Sequence, residues 1–79
     1  MKVNVLIRLN EDVMDAAGRA LKQRLIESGF PEVKNAKIGK LVELDLETAD
    51  KGGARERIQK MCDMLLVNGD VENAVILFE

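Results

Sequence analysis

Residues 2–9, KVNVLIRL, alternate without a break: Val3, Val5, Ile7 and Leu9 fall on one side of an extended backbone, and Lys2, Asn4, Leu6 and Arg8 on the other. A period of two is the pattern of a strand with one buried face, because successive side chains leave the backbone in opposite directions. A second alternating run, KLVELDLE (40–47), puts Val42, Leu44 and Leu46 on its buried side. The stretch EVKNAKI (32–38) reads as a weaker strand, diluted by Asn35 and its lysines, and VENAVILF (71–78) reads as a last one.

Between these runs the apolar period changes to that of a helix. After NEDVMD, Asp15 is placed to accept from the free amides of a helix start, with Asp12 as the competing cap, and Ala17, Leu21 and Leu25 recur at helical spacing. Ser28-Gly29 ends that helix, and Pro31 opposes its continuation. A second helix is predicted from near Asp50 to Asn68-Gly69, with Ala54, Ile58, Met61, Cys62 and Leu65 on its apolar stripe.

The order is strand, helix, strand, repeated once about a tight turn at Gly39. This is the α+β, ferredoxin-like βαββαβ pattern: a four-stranded antiparallel sheet with two helices on one face, in a single domain over 1–79. Right-handed crossovers place the first and third strands in the centre and leave the second and fourth as edges. The other face of the sheet is then open. Leu6 and Leu41, with either Ile76 or Phe78, interrupt the charges expected there; such residues are either an interface patch or scattered single exposures that need no explanation, with the interface patch as the expectation.

A chain of 79 residues buries only about 60% of the surface its unfolded form exposes, and one cysteine allows no internal disulfide. Self-association is the remaining source of extra stability. The net charge of −2, with both signs interspersed, provides neither a basic stripe for nucleic acid nor a polybasic membrane anchor. With two Phe and no Tyr or Trp, the sheet also lacks a platform for stacking bases. No apolar run has the length of a membrane span, and the N-terminal stretch meets charge again at Arg8, unlike a signal peptide; a cytoplasmic protein is expected.

Histidine is absent, which removes the commonest general base and metal ligand and the usual partner of a nucleophilic Ser or Cys. Gly52-Gly53 lacks the Gly-Lys-Ser/Thr ending of a phosphate loop, so it reads as a loop at a helix start. Cys62 lies on the apolar stripe, where a thiol acts as a small hydrophobe, and no metal site is expected. Glu43, Asp45 and Glu47 share one strand face, as solvated or interfacial carboxylates do. The pair Lys37 and Lys40 around Ile38-Gly39 suggests either an anion site or hairpin punctuation. DAAGRALKQRLIESGF is similar to the strand–helix entry of ACT domains, which sense amino acids, and this makes a small-ligand sensor the alternative reading.

Taken along its whole length, the sequence resembles the PurS family, the small subunits of phosphoribosylformylglycinamidine synthase. The resemblance rests on KIGKLVEL (37–44) and MCDMLLVN (61–68), with Met14-Asp15-Ala16-Ala17-Gly18 and SGFPEV (28–33) beside them. Departures are Ala16 where proline is common, Lys37 where arginine is usual, and NGDVENA (68–74) in the tail. Lys37 keeps the charge but not the planar fork of arginine.

The resemblance implies a non-catalytic subunit in the fourth step of purine synthesis, bridging a glutaminase and a large ATP-dependent synthetase and supporting ammonia transfer. It implies no catalytic, cofactor or metal residues in this chain, with ATP, magnesium and glutamine used by the partner subunits. The chain is expected to form a homodimer or homotetramer through Leu6, Leu41 and Phe78, and to meet its partners through Arg8, Lys37, Gly39 and Lys40.

Overall fold

The computed structural model describes residues 1–79. Its elements are β1 (Lys2–Leu9), α1 (Ala16–Glu27), β2 (Lys40–Asp45), α2 (Lys51–Met61), a π-helical turn (Cys62–Leu66) and β3 (Glu72–Phe78). The three strands form one antiparallel sheet in the order β2-β1-β3, so β1 is central as the sequence predicts.

On β1, Val3, Val5 and Ile7 are fully buried, and they meet Ile58 and Cys62 from the α2 side. Val42, Leu44 and Leu46 pack at one margin of this cluster, and Ala74, Ile76 and Phe78 at the other. Arg55 lies over the Phe78 ring, 4.9 Å from its centre. Phe78 therefore faces the helix side, and the open-face positions of β3 belong to Asn73, Val75 and Leu77. The uninterrupted apolar run AVILF conceals this phase in the sequence, since either set of alternate residues is apolar enough to be buried.

The fourth strand expected at 32–38 is not formed. Pro31-Glu32 is a turn and 33–39 has no sheet partner. This segment runs back along α1: Ala36 O lies against Gly18, and Ile38 N donates to Asp15. Gly39 is therefore not the tip of a hairpin, and its φ is not positive. It is small because a Cβ there would stand 2.6 Å from the Ile7 carbonyl oxygen.

Helix α1 is capped as the sequence predicts. Asp15 accepts from Gly18 N at 2.8 Å, and the helix ends in a Schellman motif, with Gly29 at φ 103° and Phe30 N donating to Leu25 O. Its placement differs from expectation, because α1 contributes nothing to the core cluster and its only buried residue is Gly18. The molecule measures 47 × 26 × 14 Å with a radius of gyration of 15.8 Å. A compact chain of this length would have about 12 Å. Helix α1 and the returning segment thus form an arm that projects beyond the sheet.

Helix α2 opens on Asp50, which accepts from Gly52 N at 3.1 Å. It stops at Met61, short of the predicted Asn68, and continues as the π turn. The wider turn keeps the stripe on steps of four, so Ala54, Ile58, Cys62 and Leu66 face the core. Leu65, predicted for that stripe, is 85% exposed instead.

Candidate interaction surface

The open face of the sheet is organised around Leu6. In register, Leu6 stands opposite Leu41 on β2 and Val75 on β3, which makes an apolar row across all three strands. These side chains are 38%, 53% and 43% exposed. Leu77, opposite Asn4, extends the row. Arg8 and Gly39 border Leu6, Leu41 and Val75 around a concavity of about 410 Å³.

Charges gather at the same end. Lys40 sits opposite Ile7 and so leaves the sheet on the helix side, where its Nζ lies 3.1 Å from Glu72 Oε2. Glu72 also accepts from Asn68 N at 2.8 Å, and these two contacts, the amide first, hold its carboxyl below the usual glutamate range. Lys37 belongs to the arm, 4.0 Å from the exposed Glu11. Arg8 enters none of the ion pairs. The structure thus brings Leu6, Leu41, Arg8, Gly39 and Lys40 to one end of the sheet, leaves Lys37 on the arm, and places Phe78 behind.

Two apolar surfaces escaped the sequence reading. Val75 and Leu77 were hidden by the ambiguous phase of β3. Met64 and Leu65 are strongly exposed on the π turn, which no periodicity announces.

Asp15 uses both carboxylate oxygens on backbone amides, Ile38 N at 2.8 Å and Gly18 N at 2.8 Å. These bonds hold its carboxyl below the usual aspartate range, with Ile38 the larger cause. The space beside Gly18 that a sensor domain would give to a ligand is filled by the chain itself: a Cβ at Gly18 would lie 2.4 Å from Ala36 O. Cys62 is buried, and desolvation first, then Asp63, pushes its thiol pKa up. A thiol held neutral in this way is a poor nucleophile. No three His, Cys, Asp or Glu side chains converge as a metal site would require, and no helix is long and apolar enough to cross a membrane.

The structure thus presents a projecting arm and an apolar open face. The PurS model, described as phosphoribosylformylglycinamidine (FGAM) synthase, matches residues 2–79. The chain belongs to the PurS family. It is 38% identical over 69 residues to the PurS subunit of phosphoribosylformylglycinamidine synthase of Synechocystis, covering 87% of this chain and 69% of that one. To the corresponding PurS subunit of Bacillus subtilis it is 35% identical over 72 residues, covering 91% and 84%.

Solved PurS structures have the same fold. Methanocaldococcus jannaschii PurS, described as a subunit of formylglycinamide ribonucleotide amidotransferase in the purine biosynthetic pathway, superposes with a TM-score of 0.90 at 28% identity, covering 99% of this chain and 94% of that one. A chain of the PurLQS structure from Thermotoga maritima superposes with a TM-score of 0.88 at 30% identity, covering 96% and 93%.

Proposed function

We propose that this PurS-family chain is a non-catalytic subunit of phosphoribosylformylglycinamidine synthase, and that it joins a glutaminase subunit to a large ATP-dependent synthetase subunit and supports ammonia transfer between them. The observation that carries the reading is the family match over 2–79, and the PurLQS relative supports a place in an assembly. The chain acts in the cytoplasm as a dimer or tetramer. Leu6, Leu41 and Val75 form a self-association face, and Arg8, Lys37, Gly39 and Lys40 lie nearest the partner contacts. ATP, magnesium and glutamine are handled by the partner subunits.

Reconstitution tests this. Adding the chain to the synthetase and glutaminase subunits of its own source should yield a defined complex on size exclusion and raise glutamine-dependent amidine formation. Absence of both the complex and the gain would overturn the reading.

A further inference from the structure

Asn68 and Gly69 lie in the turn that leads from the π turn into β3, and both are exposed. Of Asn4, Asn10, Asn35, Asn68 and Asn73, only Asn68 precedes a glycine. The side-chain carbonyl of an asparagine is open to attack by the backbone nitrogen that follows it. A glycine in that place puts no Cβ beside the nitrogen and leaves the backbone free to rotate toward it.

The fold leaves the reacting atoms free. Asn68 commits three other groups to the turn: its N donates to Glu72 Oε1 at 2.8 Å, its O accepts from Val71 N at 3.0 Å and from Glu72 N at 2.7 Å, and its Oδ1 accepts from Asp70 N at 3.2 Å. The nucleophile, Gly69 N, and the leaving nitrogen, Asn68 Nδ2, donate to no protein atom. A Cβ at Gly69 would meet no heavy atom within 4 Å, so nothing crowds the approach. Asp70 N donates to the oxygen on which charge builds during the attack, an arrangement that stabilises a developing oxyanion. The other asparagines are placed differently. Asn35 Oδ1 holds the amide that would have to attack, Ala36 N at 3.0 Å; Asn10 Oδ1 accepts from Asn73 Nδ2 at 2.9 Å; Asn4 and Asn73 lie within β1 and β3.

We propose that Asn68-Gly69 is a self-modification site, at which the chain converts its own asparagine through a succinimide to aspartate and isoaspartate and so unfastens the start of β3. Gly69 N gives its proton to water and forms a bond to Asn68 Cγ. The Cγ–Nδ2 bond breaks, and Nδ2 leaves as ammonia with a proton taken from water. Water then opens the ring, at Cγ to give aspartate or at the main-chain carbonyl to give isoaspartate. The net change is one water consumed and one ammonia released, with no oxidant or cofactor.

Either product puts a new carboxylate near Glu72, whose own carboxylate is held by Asn68 N and Lys40. Isoaspartate also takes the Asn68 carbonyl out of the main chain, and with it the acceptor of Val71 N and Glu72 N. These two residues tie the turn to the sheet: Val71 O accepts from Asn10 N at 2.8 Å, and Glu72 is the first residue of β3.

The test incubates the purified chain at neutral pH in heavy-oxygen water, folded and in denaturant, and reads its peptides by mass spectrometry. Expected in the folded chain is heavy oxygen at position 68, in two products that chromatography separates as aspartate and isoaspartate, with the other asparagines unlabelled over the same time. Gly69→Ala should slow the conversion at least about fivefold, equivalent to about 1 kcal/mol in the barrier. Conversion in denaturant but not in the folded chain would overturn the proposal, since the turn would then shield Asn68, and so would equal labelling at the other asparagines. Amide exchange reads the structural consequence: Val71 and Glu72 should exchange faster in the isoaspartate product than in the unmodified chain. Unchanged protection there would overturn the unfastening of β3.

Discussion

Asp15 Oδ2 accepts a 2.8 Å hydrogen bond from Ile38 N, a contact across 23 positions that ties the start of α1 to the entrance of β2. The other oxygen caps α1 through Gly18 N. One carboxylate thus serves as helix cap and as clasp of the arm, and only its ionised form presents acceptors to both amides at once.

The clasp is pH-dependent in a definite direction. The folded-state pKa of Asp15 is depressed, so its contribution is complete above the unfolded value of about 3.9 and is lost as pH falls through the folded value. Glu72 behaves likewise, from an unfolded value of about 4.3. Amide exchange at Gly18 and Ile38 should accelerate below that range, relative to the β1 core amides and after correction for intrinsic rates. In Asp15→Asn, which cannot present two carboxylate acceptors, exchange at Ile38 should already be fast at neutral pH and lose its acid dependence. Equal protection in the variant would mean that the clasp does not hold the arm.

Gly18→Ala should open the arm from the opposite side. The added methyl would lie 2.4 Å from Ala36 O and 2.6 Å from Asp15 Oδ2, so backbone must shift, at a cost of about 1–3 kcal/mol. Gly69→Ala is the control, with no heavy atom within 4 Å and no positive φ, and should change stability by less than about 0.5 kcal/mol. Urea denaturation of the two variants at matched protein concentration measures the difference.

Ile58→Ala should destabilise by about 2–5 kcal/mol, because Ile58 is fully buried against Val3, Val5 and Ile7 and leaves a cavity. Leu65→Ala should stay within about 0.5 kcal/mol, since that side chain is in solvent. The contrast, read by denaturation midpoints, checks that the π turn carries the stripe from Cys62 to Leu66 and bypasses Leu65.

What was legible in the sequence follows from which interactions are local. Alternation in 2–9 placed β1, and the Asp15 cap and the Ser28-Gly29 stop bounded α1, because these signals depend on near neighbours. PurS membership was also readable, since it rests on ordered motifs along the whole chain. The strand at 32–38 was not formed because strand character needs a partner edge, and within one chain the arm carries that segment away from the sheet. AVILF has no polar residue to set its phase, so the sequence alone leaves Phe78 on either face, and register against β1 puts it on the helix side. Gly39 reads in the sequence as a tight turn, whereas the structure constrains it through the close approach of the Ile7 carbonyl and gives it no left-handed φ.

The two lysines around Ile38-Gly39 are separable by experiment. Lys40 pairs with Glu72 at 3.1 Å across the end of the sheet, whereas Lys37 has one contact, at 4.0 Å, with a fully solvated Glu11. The Lys37–Glu11 pair is exposed, and in the other pair the lysine is exposed while Glu72 keeps its bond from Asn68 N, so neither Lys37→Ala nor Lys40→Ala should unfold the isolated chain. If these cations meet the partner subunits, both variants should bind the synthetase and glutaminase more weakly, with a steeper loss for the double variant and a reduced dependence of affinity on salt. Leu6→Asp places a charge at the centre of the Leu41–Leu6–Val75 row and should instead lower the oligomer mass seen by light scattering. A lysine double variant that still assembles like the wild type would confine the working surface to the apolar row and the arm. A Leu6→Asp variant with unchanged mass would overturn self-association through this row.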